Sequence, residues 1–141
     1  MPYSFVAPSA VTDKLTDKAI IGIIEIEAEA LEGFEIRLRE SGENVTSVKL
    51  VDGFWVFDRS KSGEPIVGAE KDEYSLSGIR RMPYTPRGKT TVSIVLDKYS
   101  VEFFENGRVM SSTVYPPDGA DKIELSVKAG KCVYTRYEIA D

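Results

Sequence analysis

The stretch Thr91–Tyr115 constrains the fold of this chain more than any other. At its start, Val92, Ile94 and Leu96 alternate with polar residues. An alternation of period two is the pattern of a strand with one face buried and one face in water. A polar turn follows, and a second apolar run then resumes over residues 101–104. The beginning of this stretch therefore predicts two successive antiparallel strands.

Asn106-Gly107 follows the second of these strands. This dipeptide predicts a type I′ hairpin turn, because both central residues of that turn must adopt positive φ. A third run, over residues 109–115, leads to Pro116-Pro117, where strand pairing must stop. The whole stretch is predicted to be a three-stranded meander inside an all-β domain.

Strand patterns recur along the rest of the chain, with turn residues between them. The run 19–28 is rich in isoleucine, which disfavours the helix that its EAEALEG tail would otherwise suggest. Strands spaced every 8–12 residues favour a sandwich or a barrel. Further strands are predicted at 2–9 (a short edge strand), 34–39, 45–51, 54–58, 123–127 and 133–139, with turns at 41–44, 52–53 and 129–130.

Other segments are predicted to be irregular. Thr12–Asp17 is polar and is interpreted as a loop or a single helical turn, and Asp58–Gly63 is expected to end the hairpin before it. Glu64–Pro86 is the longest irregular stretch, and it carries Arg80 and Arg81. Loops of that length in a compact domain are usually functional or poorly ordered. We find no repeat and no linker, so residues 1–141 are predicted to form one domain.

The chain of 141 residues has a formal charge of −5 and contains no histidine. A mildly acidic chain without a basic stripe does not favour a nucleic acid or an anionic membrane surface as a partner. The lack of histidine excludes serine–histidine and cysteine–histidine catalysis and histidine-bound metals. Carboxylate chemistry or an oxygen-ligand calcium site stays possible. The single Cys132 lies in a strand pattern and is predicted to be an inert thiol.

No run of about 18 apolar residues is present, so no transmembrane helix is expected. The first residues lack the basic and apolar regions of a signal peptide. A signal could still belong to a longer parent protein, so the compartment stays open.

Three motifs follow one another along the chain. They are an Asp-Arg-Ser-x-Ser-Gly motif, an arginine-rich loop closed by proline, and a pattern within the central stretch. Their residues are Asp58-Arg59-Ser60-Lys61-Ser62-Gly63, Arg80-Arg81-Met82-Pro83, and Asp97, Ser100, Val101, Glu102, Phe104, Asn106 and Gly107 followed by Ser111 or Ser112 and by Tyr115-Pro116. In this order they resemble the C-terminal β-sandwich of glycoside hydrolase family 32, the invertases, levanases, inulinases and sucrose-6-phosphate hydrolases.

The resemblance implies an all-β, two-sheet antiparallel β-sandwich of jelly-roll or concanavalin-like type. Catalysis in this family belongs to a separate five-bladed propeller, with motifs Asn-Asp-Pro-Asn-Gly, Arg-Asp-Pro and Glu-Cys. These motifs are missing here. The nearest sequences differ, because Asp58 comes before Arg59 instead of after an arginine, and Cys132 follows Lys131 instead of a glutamate. The resemblance therefore implies a non-catalytic module, excised from or encoded beside its propeller. Hydrolysis of sucrose, sucrose 6-phosphate or fructan would belong to that propeller.

Two roles are consistent with the resemblance. The module either stabilises the propeller, with oligomer contacts possible, or binds sugar itself, as the similar family 66 carbohydrate-binding modules bind the terminal fructose of levan or related fructans. Carboxylates accept hydrogen bonds from vicinal hydroxyls and arginines donate them, while Trp55 or Tyr84 could flank the sugar. The candidate sugar-binding residues are Asp58, Arg59, Arg80, Arg81, Asp97, Glu102 and Trp55. No catalytic residue, metal ligand or cofactor is assigned.

Two alternatives remain open at this point. One is a lectin-like sandwich with no hydrolase connection, and the other is a free-standing enzyme with a carboxylate pair in a cleft. The aromatic residues at 54, 55, 57, 103 and 104 are expected to fill the core for the most part. Trp55 and Phe57 should share one face of their strand and Phe54 and Val56 the other, so one pair should be more exposed.

Overall fold

A computed structural model of the chain describes residues 2–6, 9–15, 19–41, 44–61, 79–85, 89–97, 100–113, 122–127 and 129–140. Within these ranges the regular structure is all strand, and no helix of a length or hydropathy suited to a membrane occurs there. The strands are β1 (Pro2–Val6), β2 (Ser9–Lys14), β3 (Ala19–Glu32), β4 (Glu35–Ser41), β5 (Asn44–Val51), β6 (Phe54–Lys61), β7 (Ile79–Pro83), β8 (Lys89–Asp97), β9 (Ser100–Glu105), β10 (Arg108–Thr113), β11 (Lys122–Val127) and β12 (Ala129–Ala140).

The strands pair into two antiparallel sheets of six strands each. The first sheet has the order β1-β12-β3-β8-β9-β10, and the second has the order β2-β11-β4-β5-β6-β7. Side chains from both sheets form one buried hydrophobic core between them. The prediction of an all-β, two-sheet antiparallel sandwich is confirmed.

The alternation of the sequence decides which face of each strand is buried. In β3, Ile24 and Ile26 are fully buried while Glu25 and Glu27 are exposed. Strands β8, β9 and β11 repeat this pattern, with every second residue buried. Burying a large aliphatic side chain stabilises a fold by about 1.5–3 kcal/mol, so a slip of one residue in register would be costly.

Two tight turns have the geometry that their sequences predict. Asp52-Gly53 joins β5 to β6 with φ angles of 50° and 80°, and Asn106-Gly107 joins β9 to β10 with φ angles of 45° and 88°. The Asn106 side chain also accepts a hydrogen bond from the Thr91 amide at 3.0 Å. Asn106 therefore both forms the hairpin turn and attaches it to the neighbouring strand β8.

Two predictions of irregular structure near polar residues are wrong. Thr12–Lys14 is the end of β2, because its backbone pairs with β11 in the register Lys14↔Lys122. Asp58 does not end its strand, since β6 continues to Lys61. In both places backbone pairing with a neighbouring strand outweighs the polar composition. Residues 16–17 and 62–63 lie outside the described residues.

The predicted loop that carries Arg80 and Arg81 is in part a strand. Residues 79–83 form β7, which pairs with β6 at the edge of the second sheet. An edge strand has one neighbour and little buried surface, so its sequence carries only a weak alternation. Residues 64–78 and 86 of the predicted loop lie outside the described residues. The turn predicted at Ala129-Gly130 is also wrong, because β12 begins at Ala129 and a register irregularity follows it.

Strand β4 contains an irregularity at Arg39. The register with β5 shifts between Leu38 and Ser41, and Arg39 has a φ of 52°. From this position the Arg39 Nη2 donates a hydrogen bond of 2.6 Å to the carbonyl oxygen of Asp97. Because Asp97 belongs to the first sheet and Arg39 to the second, this contact crosses the sandwich.

We expect Arg39→Ala to destabilise the fold more than Arg39→Gly. Both variants lose the hydrogen bond to Asp97, but alanine keeps the cost of a left-handed residue, about 1–2 kcal/mol, which glycine avoids. Urea unfolding of the two variants measures the difference. On the regular part of the same strand, Glu35→Gly should instead be worse than Glu35→Ala by about 0.5–1 kcal/mol. The same order of alanine and glycine at both positions would contradict the assignment of backbone strain to Arg39.

Candidate functional site

The candidate sugar-binding residues do not form one site in the structure. Asp58 and Arg81 lie on the outer face of the second sheet, and Glu102 lies on the outer face of the first sheet. The outer faces of a sandwich are on opposite sides of the molecule. A single pocket made of all the candidates is therefore excluded by the fold.

Asp58 and Arg81 are the candidates that share an exposed surface. Asp58 pairs with Ile79 and Val56 pairs with Arg81, so the two charged residues are diagonal neighbours on β6 and β7. The Asp58 Oδ1 accepts hydrogen bonds from the Ser60 amide at 2.8 Å and from the Ser60 hydroxyl at 2.6 Å. This carboxylate therefore organises its own strand end while remaining half-exposed.

Trp55 is a core residue, so in this conformation its ring is not accessible to a sugar. The side chain has no exposed surface, and its ring packs against rings on both sheets. Its centroid lies 5.3 Å from that of Phe34, 5.1 Å from that of Phe103 and 5.4 Å from that of Tyr84. Tyr84 is half-buried, and its hydroxyl is hydrogen-bonded to that of Thr90 at 2.9 Å.

The aromatic residues are divided by the two faces of each strand, as the alternation predicts. Trp55, Phe57 and Phe103 are fully buried, whereas Phe54 is 41% exposed. Phe104 is intermediate, on the outer face of the first sheet. Val56, on the same face as Phe54, is only 9% exposed, so the predicted pair is the more exposed one through Phe54 alone.

Arg59 and Arg80 face the inner side of the second sheet. Arg59 is 9% exposed and follows the inward-facing Phe57 at a spacing of two residues. Arg80 pairs with Phe57 on the edge strand β7 and is exposed there. Each arginine is therefore separated by the sheet from its sequence neighbour, Asp58 or Arg81.

Asp97 and Glu102 belong to the first sheet. Asp97 is exposed at the end of β8, where its carbonyl oxygen accepts the hydrogen bond from Arg39. Glu102 lies between its cross-strand partners Val95 and Ser111, and its side chain is half-exposed. Neither residue lies on the surface that holds Asp58.

Sequence reasoning missed a polar network between the sheets. Asp13 Oδ2 accepts hydrogen bonds from the Tyr134 hydroxyl at 2.8 Å and from Arg136 Nε at 2.7 Å. Arg136 also forms an ion pair with Glu138. Asp13 is on β2 of the second sheet and its partners are on β12 of the first. The available signal was the inward register of β12, in which the apolar Cys132 and Tyr134 give way to charged residues.

The network changes the protonation of its members. Burial raises the pKa of Asp13, but hydrogen bonds from Tyr134, the Lys14 amide and Arg136 prevail and hold it below its ordinary value of 3.8. Burial and the neighbouring Asp13 carboxylate raise the pKa of Tyr134. Asp13 is therefore ionised and Tyr134 neutral at physiological pH, which suits a hydrogen bond from the phenol to the carboxylate.

An open groove of about 570 Å³ lies beside this network, lined by Thr12, Asp13, Lys14 and Lys122. Both Asp13 oxygens are already hydrogen-bonded within the protein, since Oδ1 accepts from the Lys14 amide at 2.8 Å. In the described part of the chain, no three acidic or cysteine side chains come together as a metal site. The network is thus best described as a structural connection between the sheets.

Glu105 is the fully buried carboxylate of the described residues, at the end of β9. Its Oε1 accepts hydrogen bonds from Arg108 Nε at 3.2 Å and Nη2 at 2.8 Å. Its Oε2 has no partner within the ranges that the structure describes. A buried carboxylate normally needs such an ion pair, because desolvation penalises the charge.

We expect Asp13→Asn to lower stability at neutral pH by about 1–2 kcal/mol, because a charged acceptor between the sheets is lost. The folded-state pKa of Asp13 lies below 3.8, so its contribution is complete above that value and is lost as the pH falls through the folded pKa. Urea unfolding from about pH 6 to about pH 2.5 should show that the difference in free energy of unfolding between wild type and variant becomes smaller in acid.

Tyr134→Phe removes one hydrogen-bond donor to Asp13, so the folded-state pKa of Asp13 should move back toward 3.8. The pH range over which Asp13 changes the stability should therefore become narrower. A gap that stays constant across the whole pH range would contradict the assignment of this contribution to the Asp13 carboxylate.

Comparison with known protein families identifies the family to which the sequence belongs. The sequence model of "Glycosyl hydrolases family 32 C terminal" matches residues 8–141. No curated protein matches the sequence.

Solved structures share the fold. An exo-inulinase from Aspergillus awamori matches with a TM-score of 0.71 and 22% identity over 99% of this chain, and 29% of its own chain is covered. A sucrose-6-phosphate hydrolase from Lactobacillus gasseri matches with a TM-score of 0.69 and 14% identity, at coverages of 97% and 28%. Sheep galectin-11 matches with a TM-score of 0.61 and 13% identity, at coverages of 92% and 97%.

The chain therefore spans less than a third of either hydrolase, and likeness at these identities concerns the fold alone. The family model, in contrast, covers nearly the whole sequence. On that match, the chain belongs to the family of glycosyl hydrolase family 32 C-terminal domains.

Proposed function

We propose that this chain is the non-catalytic C-terminal module of a β-fructosidase-like glycoside hydrolase, and that it stabilises a catalytic propeller by packing against it. The family match over residues 8–141 carries the proposal. The exo-inulinase and the sucrose-6-phosphate hydrolase of the same fold support a fructoside as the substrate class of the parent enzyme. Sucrose, sucrose 6-phosphate or a fructan would then be hydrolysed by the propeller.

The arrangement of carboxylates supports a non-catalytic role. Retaining glycosidases hold two carboxyl groups about 5–5.5 Å apart across the scissile bond. Here Asp58 and Glu102 face opposite sides of the sandwich, and the buried Glu105 is ion-paired with the half-exposed Arg108. Asp13 is bonded to Tyr134 and Arg136 between the sheets.

A sugar-binding module is the second candidate, and the shared surface of Asp58 and Arg81 favours it. A carboxylate acceptor and a guanidinium donor on one exposed face suit the vicinal hydroxyls of a fructosyl unit. The likeness to galectin-11 supports the shape of a lectin-like sandwich and nothing about its ligand.

We expect the purified chain to release no reducing sugar from sucrose, sucrose 6-phosphate, inulin or levan. The measurement is a long incubation followed by a reducing-sugar assay, with Glu105→Gln as the matched variant. Hydrolysis by the wild type that Glu105→Gln abolishes would overturn the non-catalytic role.

Calorimetric titration with levan, inulin, sucrose and fructose separates the two candidates. The stabilising role predicts no heat of binding at millimolar ligand. Sugar binding at the second sheet predicts heat that Asp58→Ala or Arg81→Ala abolishes and that Glu102→Ala, on the opposite face, leaves unchanged. Heat lost only in Glu102→Ala would instead place a sugar site on the first sheet.

A further inference from the structure

The two asparagines of the chain stand in different sequence contexts. Asn106 belongs to a hairpin turn, and the residue two positions after it is Arg108, which has no hydroxyl. Asn44 is followed by Val45 and Thr46. Asn-x-Thr, with any residue except proline in the middle, is the acceptor sequence for N-linked glycans. Asn44 is therefore the one asparagine of this sequence that has the context of a glycan acceptor.

Asn44 lies at the end of a hairpin. It is the first residue of β5, and its cross-strand partner is Ser41, the last residue of β4. Connections between strands run over the surface of a domain, and N-linked glycans are bulky groups that are carried at the surface. Strands β4 and β5 lie in the interior of the second sheet, so this hairpin is at an end of the sheet and belongs to neither of its edges.

The hydroxyl of Thr46 has no role in the part of the fold that the structure describes. Thr46 is fully buried and pairs with Leu38 of β4, and its Oγ1 has no hydrogen-bond partner among the described residues. A buried hydroxyl without a partner costs free energy, whereas valine has nearly the same shape and no polar atom. The next inward position of β5 is indeed Val48, which is also fully buried. Packing therefore favours valine at position 46, and the acceptor sequence explains why a threonine stands there.

The single cysteine is compatible with the oxidising compartment in which N-glycans are added. In such a compartment an exposed unpaired thiol can form a disulfide with another chain. Cys132 is only 2% exposed, and burial raises the pKa of its thiol. Because the thiolate is the reactive form of cysteine, both properties protect Cys132 from disulfide exchange.

We propose that Asn44 is an N-glycosylation site. In the transfer, Nδ2 of Asn44 forms a bond to the anomeric carbon of an oligosaccharide that is carried on a lipid diphosphate. The bond between that carbon and the diphosphate oxygen breaks, the lipid diphosphate leaves, and the amide loses one proton. Since the Thr46 hydroxyl is buried in the folded domain, the transfer precedes the pairing of β5 with its neighbours. The inference is independent of the proposed function, because a stabilising module and a sugar-binding module could each carry this glycan.

The experiment is secretion of the full chain, behind a cleavable signal peptide, from a eukaryotic cell. The intact mass is measured before and after digestion with a peptide-N-glycosidase. The wild type should carry a glycan that the digestion removes, with Asn44 converted to aspartate. Asn44→Gln should carry no glycan. Asn106→Asp is the matched control at the other asparagine, and it should keep the glycan.

Thr46 provides a second test that leaves the asparagine in place. Thr46→Ser should keep the glycan because the hydroxyl remains, whereas Thr46→Val should lose it. Produced without glycan in bacteria, Thr46→Val should melt at a temperature no lower than the wild type, which separates loss of the acceptor sequence from misfolding. A wild type that is secreted without a glycan would overturn the proposal. So would a glycan that persists in Asn44→Gln or in Thr46→Val.

Discussion

The contact between the two sheets depends on Trp55. Its ring lies on the second sheet and meets Phe103 of the first sheet, with Phe34 and Tyr84 at its other edges. Large aromatic side chains bury about 150–250 Å² each, and edge-to-face pairs add about 0.5–1.5 kcal/mol beyond that burial. The Tyr84 hydroxyl is in turn hydrogen-bonded to that of Thr90, so Tyr84, which follows β7 of the second sheet, is linked to β8 of the first sheet. The polar network around Asp13 also connects the two sheets, because Asp13 of β2 accepts hydrogen bonds from Tyr134 and Arg136 of β12.

Much of this fold was accessible from the sequence, because alternation and turn chemistry are local signals. Ile24 and Ile26 against Glu25 and Glu27 identify β3 and its buried face, and Asn106-Gly107 identifies a hairpin from two residues alone. What failed were the segments whose structure is imposed by a neighbour. Strand β7 and the end of β2 are strands because β6 and β11 pair with them, and no pattern within either segment carries that information.

The candidate sugar-binding residues do not share one surface, and the reason lies in the geometry of a strand. Asp58 and Arg59 stand next to each other in one motif of the family resemblance, and Arg80 and Arg81 stand next to each other in another. Successive side chains of a strand point to opposite faces of its sheet. Two residues that are adjacent in a strand therefore cannot line the same surface. Interpreting residues 64–86 as a loop hides this constraint for Arg80 and Arg81. Residues at a spacing of two, or directly paired across strands, would have been the appropriate sets to consider.

The order of strands in the first sheet has a consequence for biosynthesis. Strand β12 lies between β1 and β3, so a central strand of this sheet is supplied by the last segment of the domain. Pro2 pairs with Thr135 and Ile26 pairs with Tyr134, which are contacts of very large sequence separation. Such contacts slow folding, because the intervening chain must be ordered before they form. Each sheet can begin with local hairpins while the ribosome is still at work, β8-β9-β10 in the first sheet and β4-β5-β6 in the second, but the free edge of β3 stays unpaired until β12 has emerged. During that interval the isoleucine-rich β3 has an unpaired edge, and its protection depends on how quickly the end of the domain follows.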